Sequence, residues 1–211
     1  PFAVAMLRAL PAGLLLLLIV RQLPPRDWLW KILVLGALNF AAFWSLLFVS
    51  AYRLPGGVAA TLGAVQPLMV IFLSSLLLSI PVRPSSVIAA ITGIGGVAML
   101  LLTPTGSLDA IGVLAGLGGA GSMATGVVLS RKWQPPVPPL TFTAWQLTAG
   151  GLLLVPVTLW MVPEWPRFTV ANLMGLVWMG AIGGAFTYLL WFRGLTRIEP
   201  TRIAVLGFLS P

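Results

Sequence analysis

Two Gly-x-x-x-Pro segments, Gly63-Ala64-Val65-Gln66-Pro67 and Gly207-Phe208-Leu209-Ser210-Pro211, interrupt apolar runs 144 residues apart. A proline within a helix has no N–H to give and clashes with the carbonyl four residues before it, so each segment should bend its helix and free a backbone acceptor. Gln66 adds a side-chain amide at the same depth. In hydrocarbon, freed groups are tolerated only against protein or a water-filled path. Matched interruptions in two halves of an apolar chain are therefore the pattern of a substrate-facing break. The chemistry on offer is hydrogen bonding at a hinge, with Gly63, Pro67, Gly207 and Pro211 as hinge residues and Gln66 as a binding residue. A packing kink whose carbonyl is satisfied by a neighbouring helix is the equal alternative.

Other polar groups inside apolar runs are few. Arg8 is the only charge inside such a run away from its ends, which marks a functional site by default and could attract a carboxylate or phosphate. It lies roughly 10 Å from the outer end of its run, so snorkelling or a structural pair competes with that role. Asn39 and Trp44 in the second run and Trp178 in the seventh could form an aromatic and amide lining. Trp and Tyr near run ends are more often interfacial anchors, which suits Tyr52, Tyr188 and Trp191 better. Gln146, with Thr143 and Trp145, makes a polar patch for which helix-to-helix hydrogen bonding is as good an explanation as ligand contact.

The absences are equally informative. There is no Cys and no His, and the four acids, Asp27, Asp109, Glu164 and Glu199, all stand at the ends of apolar runs. The usual metal ligand and the usual general base are missing, so no metal site, no cofactor and no enzyme activity are expected. Gly116-Leu117-Gly118-Gly119-Ala120-Gly121 matches the dinucleotide fingerprint literally, but that motif needs a preceding strand. The rows Gly112, Gly116, Ala120, Ala124 and Gly118, Ser122, Gly126, Ser130 read instead as close-packing faces for neighbouring helices. Ser122 and Thr125 could still lend hydroxyls to a cavity. An ATP-binding Gly-x-x-x-x-Gly-Lys-Ser/Thr loop is also missing.

What positions these residues is a membrane. Apolar residues make up 59% of the chain and charged residues 8%, against about 25% charged in an average soluble domain. The net charge of +8 is scattered between apolar runs rather than clustered on a face, which argues against nucleic acid. Runs long enough to span a bilayer fall at 2–20, 29–51, 58–80, 86–102, 110–130, 140–162, 170–192 and 200–211, separated by Pro- and Gly-rich breaks. Odd-numbered loops hold nine Lys and Arg and even-numbered loops two, so odd loops should be cytoplasmic and residue 1 outside.

The repeat reaches further than the two breaks. Seven of the 22 pairs between 46–67 and 190–211 are identical, among them Arg53 with Arg197. Ala12-Gly13-Leu14-Leu15-Leu16 aligns with Gly150-Gly151-Leu152-Leu153-Leu154, which sets Arg8 opposite Gln146. Span three thus matches span eight and span one matches span six. Five helices per copy, an odd number, would turn the second copy upside down. The expected fold is an all-α integral membrane bundle of two inverted five-helix repeats, with about eight spans here of an expected ten. The first repeat is read over 1–105, without its first helix, and the second over 110–211, truncated in its fourth.

Leu7-Arg8-Ala9 opening a Leu-rich span, the Tyr52-Arg53-Leu54-Pro55 turn, Ala64-Val65-Gln66-Pro67 with its echo Phe208-Leu209-Ser210-Pro211, and Ser130-Arg131-Lys132-Trp133 carry a resemblance. On these features the chain resembles the EamA family of the drug/metabolite transporter superfamily. The resemblance implies a multi-pass permease of a bacterial inner membrane, with ten helices around a central cavity, moving amino acids or other small metabolites outward by alternating access. Its partners would be a small-molecule substrate and the lipid bilayer, not nucleic acid, with a homodimer left open. A non-transporting membrane scaffold and, less well supported, an integral-membrane enzyme are the competing classes.

Overall fold

The computed structural model describes residues 2–82, 109–162 and 169–187, with positions 84, 88, 91–93, 95, 96, 99 and 190. Among the described residues there is no strand, and five helices are long and apolar enough to cross a membrane. These are α1 (Phe2–Val20), α2 (Arg26–Arg53), α3 (Gly56–Leu78), α4 (Ala110–Lys132) and α5 (Pro139–Met161). A further helix, α6 (Val170–Val177), runs on into a π-helical stretch, Trp178–Phe186. The expected spans at 86–102 and 200–211 and the end of 170–192 lie outside the described residues, apart from the single positions named. The protein is an all-helical, multi-pass membrane protein.

Each helix end follows from local chemistry. α1 stops where Arg21 takes a left-handed φ of 50°, just before Pro24-Pro25. α3 is broken: a first helix ends at Gly63, Ala64 and Val65 form a turn, and a second helix runs from Gln66 to Leu78. Pro67 sits in the first turn of that second helix, where a missing N–H costs nothing because first-turn donors have no helical partner. α4 starts on Asp109, whose Oδ1 accepts from the Gly112 N–H at 2.8 Å, and ends on Arg131 and Lys132, which suits the negative end of the helix dipole.

Packing between helices uses small residues, because lipid tails remove the hydrophobic drive between apolar helices and close backbone contact must replace it. Among the described helices α1 and α5 form the most extensive pair and run antiparallel. A Cβ on Gly13 would fall 2.6 Å from the Thr148 nitrogen, and one on Gly151 would fall 2.7 Å from the Leu10 Cα. α2 crosses α5 in the same manner: a Cβ on Gly36 would come 2.7 Å from the Gln146 carbonyl oxygen. The row Gly112, Gly116, Ala120 and Ala124 on α4 is buried, with Gly112 against Leu54 and Gly116 against Ser50 and Leu62. Large apolar residues such as Leu18, Phe72, Leu114 and Trp160 are exposed on the outside of the bundle, where lipid would cover them.

The two ends differ in charge. The Trp145 Nε1–H donates to the Gln22 carbonyl at 2.6 Å, and Trp28–Phe142 and Trp30–Trp133 ring pairs join the start of α2 to the start of α5 and to the residue that follows α4. Arg21, Arg26, Lys31, Arg131 and Lys132 thus gather at one end. At the other, Arg53 Nη1 meets Asp109 Oδ2 at 2.9 Å, with both side chains over a third exposed. The Gly112 N–H chiefly, helped by Arg53, holds the Asp109 carboxyl below its ordinary value near 3.8.

Candidate functional site

α2 is not a regular helix throughout. Ala37–Ala42 forms a π-helical turn, a widened turn that is frequent at functional sites. It includes Asn39, the fourteenth of the helix's 28 residues. Ser122 of α4 supports the turn by donating its hydroxyl to the Leu38 carbonyl at 2.8 Å.

Asn39 is 6% exposed and joins three helices. Its Nδ2 donates to Gln146 Oε1 of α5 at 2.7 Å and to Ser130 Oγ of α4 at 3.1 Å. Ser130 Oγ also reaches Gln146 Oε1 at 3.4 Å. The carboxamide fits because residue 126 is glycine: a Cβ there would overlap Asn39 Oδ1. That oxygen is buried and has no donor among the described residues, although a buried amide without a partner is costly.

A cavity of about 480 Å³ opens on this cluster, lined by Asn39, Ser130, Thr143 and Gln146 on its polar side and by residues such as Phe40 and Phe142 on its apolar side. Arg131 at the end of α4 and Gln134 and Pro135 of the α4–α5 loop stand among its walls, so it lies toward the basic end of the bundle. Its volume is that of a small-molecule site, which is typically apolar with a few convergent polar groups. No described group of His, Cys, Asp and Glu could hold a metal, and the cluster's own chemistry is hydrogen bonding without proton transfer.

The structure brings Asn39 and Gln146 together, and Thr143 with them. Ser130 is the member that sequence reasoning missed; its place in the small-residue row was visible, but that row read as packing. Ser122 does supply a hydroxyl, to a backbone carbonyl, whereas Thr125 bonds back to its own helix at Gly121. Trp44 is buried, edge-to-face with Phe40 at 5.5 Å, and does not line this cavity. Arg8 is half-buried, its guanidinium carbon 4.6 Å above the Trp44 ring. Trp178 is 64% exposed. Gln66 is half-buried beside the break in α3, and a second, apolar cleft beside it is formed by Val65, Met69 and Phe72 with Gly121 and Thr125 of α4. Gly207 and Pro211 lie outside the described residues.

Comparison with known proteins gives the following. Residues 1–102 and 110–211 each match the EamA-like transporter family. Protein PecM of Dickeya dadantii (strain 3937) is 45% identical over 213 residues, spanning all of this chain and 71% of that protein. The uncharacterized transporter YvbV of Bacillus subtilis (strain 168) is 28% identical over 218 residues, again over the whole chain and 71% of the relative. The WAT1-related chloroplastic protein At3g02690 of Arabidopsis thaliana is 29% identical over 232 residues and 54% of its length. No solved structure matches the chain.

Proposed function

The chain belongs to the EamA-like transporter family, and from that premise we propose that it is a secondary transporter of a bacterial inner membrane, a permease exporting small metabolites such as amino acids or drugs. The cavity at Asn39, Ser130 and Gln146 is the observation that carries this reading. It combines a mid-helix amide, an acceptor without a described donor and an apolar wall, which suits a small amphipathic cargo. Residues 1–105 and 110–211 are two inverted repeats that rock about this site. The turn at Ala64 and Val65, with Gly63 and Pro67 on either side, is the hinge, mirrored by Gly207 and Pro211. Gln66, Trp44, Trp178 and Arg8 line the substrate path at other stages of the cycle.

The antiparallel packing of α1 on α5 supports the inverted arrangement. Shifting by 138 residues carries Gly13 to Gly151 and Leu10 to Thr148, so the Gly13–Thr148 and Gly151–Leu10 approaches are one contact seen twice. Reciprocal contacts arise in any antiparallel pair; the repeat reading is supported by glycine standing at both equivalent positions, Gly13 and Gly151.

Metabolite profiling of medium tests the function. Cells carrying the protein should release a metabolite set that is lost with Asn39→Leu plus Gln146→Leu at equal membrane abundance. Identical profiles for the protein, the double variant and the deletion would sink it.

A further inference from the structure

A further cleft, distinct from the polar cavity, lies on the outside of the bundle where the end of α1, the start of α2 and the middle of α5 meet. Its volume is about 360 Å³, and Leu17, Leu23, Leu29, Leu33 and Leu152 are among its walls. Leu23, Leu29, Leu33 and Leu152 are exposed. Trp145 and Thr148 also line it and carry polar atoms, but both are satisfied within the protein. The Trp145 Nε1–H donates to the Gln22 carbonyl at 2.6 Å, and the Thr148 hydroxyl donates to the Ala144 carbonyl at 2.8 Å. A polar occupant would leave its own groups unpaired there, at a cost. The cleft suits a hydrocarbon chain.

Leu17 and Leu23 also wall an adjoining cleft that includes Arg21 and Gln22, so the apolar cleft opens beside a guanidinium. Arg21 is exposed, and among the described residues no carboxylate pairs with it or with Arg26. The same end carries Lys31, Arg131 and Lys132 as well, against one acid, Asp27. Lys31 Nζ lies 4.3 Å from the centre of the Trp28 ring and 5.8 Å from that of Trp30. Tryptophan is enriched at headgroup level, so these cations stand at the depth of lipid phosphates. We propose that the two adjoining clefts bind one anionic phospholipid, with an acyl chain in the apolar cleft and the headgroup phosphate on Arg21. Charge complementarity selects this occupant. Lipid tails are as apolar as the leucines around them, so the tail separates one lipid from another only weakly. A guanidinium grips phosphate through two parallel N–H groups, and basic sites between helices near the membrane surface favour anionic headgroups. Because the walls come from α1, α2 and α5, the bound lipid ties these three helices together and stabilises the folded bundle. The site stands apart from the cavity at Asn39 and is independent of the cargo.

The probe is phosphatidylglycerol added to the purified protein in neutral detergent micelles, with thermal unfolding as the readout. Phosphatidylcholine and inorganic phosphate are the comparisons. Phosphatidylglycerol should raise Tm at lower concentration than phosphatidylcholine, and inorganic phosphate should not raise it. One basic residue near an anionic headgroup is worth about fivefold in affinity. Arg21→Gln should therefore raise the half-saturating phosphatidylglycerol concentration by about that factor, and Arg21→Lys should retain most of the response. Lys132→Gln removes an exposed charge from the same end without touching either cleft and should change the titration far less at physiological salt. Leu33→Trp plus Leu152→Trp, which fills the apolar cleft, should weaken phosphatidylglycerol binding with Arg21 still in place. Equal responses to the two lipids, or equal losses in Arg21→Gln and Lys132→Gln, overturn the site and leave only a diffuse attraction to the basic end. A full response to inorganic phosphate, or unchanged phosphatidylglycerol binding in the filled-cleft variant, overturns the lipid as its occupant.

Discussion

Gly126→Ala is the smallest change that tests the geometry of the cavity. The added methyl would occupy the position of Asn39 Oδ1 and lie 2.6 Å from its Cγ, so the carboxamide must swing away. Two hydrogen bonds go with it, to Gln146 and Ser130. In a membrane interior each is worth about 0.6 kcal/mol on average and up to about 1.7, so the loss is about 1–3 kcal/mol. Against this, replacing a helical glycine by alanine gains up to about 1 kcal/mol of helix propensity. Gly118→Ala on the same helix isolates that gain, because its methyl would meet only Leu46 Cδ1 at 3.5 Å, an ordinary contact.

The assay is thermal unfolding of the purified protein followed by the fluorescence of its nine tryptophans. Gly118→Ala should hold or raise Tm, and Gly126→Ala should lower it relative to Gly118→Ala. The sharper measurement is a double-mutant cycle with Asn39→Ala. Once the carboxamide is gone the methyl has nothing to displace, so Gly126→Ala should cost nothing in that background. The coupling should be about 1–3 kcal/mol, within the range for residues in contact, or several degrees at about 2–4 °C per kcal/mol for a chain of this size. A zero coupling would refute the placement of Asn39 against α4.

Other outcomes follow from the same contacts. Gly36→Ala should destabilise by about 1–3 kcal/mol, because its methyl meets helix backbone, the Gln146 oxygen and the Gly150 nitrogen, at 2.7 Å; Tm or the folded yield in membranes reads it. Asp109 has a lowered folded pKa, so its stabilising contribution is present above the ordinary carboxylate value near 3.8 and is lost as pH falls through the lower folded value. A Tm–pH profile should therefore show an acid limb that Asp109→Asn diminishes and that is flat, for this group, between pH ~5 and ~7. Pro67→Ala, which restores a donor at the turn in α3, should lower metabolite release while leaving membrane abundance unchanged. Equal release would show that the turn is a packing feature and not a hinge. Ser122→Ala removes its hydrogen bond to the Leu38 carbonyl and should cost about 1 kcal/mol in the same thermal assay.

Much of the fold is legible in local pattern. The spans read at 2–20, 29–51, 58–80, 110–130 and 140–162 differ from the described helices by three residues at most. In hydrocarbon every backbone group must be paired within its own segment, so composition and punctuation decide where a helix lies. The α3 break was legible for the same reason, since Pro67 removes a donor wherever it sits. The pairing of small-residue rows with neighbours was visible only as a tendency. Which of the polar residues would meet was not visible at all, and Trp178, which ranked with Asn39 as a lining residue, is mostly exposed.

The sequence by itself determined a membrane-spanning helical chain, its repeat, its breaks and a short list of polar residues that hydrocarbon makes expensive. Only the tertiary structure decided that Asn39 and Gln146, 107 residues apart, share a hydrogen bond, that Ser130 completes the cluster, and that Trp44 stacks on Arg8 rather than lining the main cavity. The reason is the phase of the helices. When nearly every face is apolar, hydropathy does not fix which side of a helix turns inward. A π-helical turn inserts extra backbone in mid-span and rotates all that follows. The facing residues are then set by where glycines admit a neighbour, a backbone at Gly13, Gly36 and Gly151 and the Asn39 carboxamide at Gly126, and those contacts exist only once the helices are assembled.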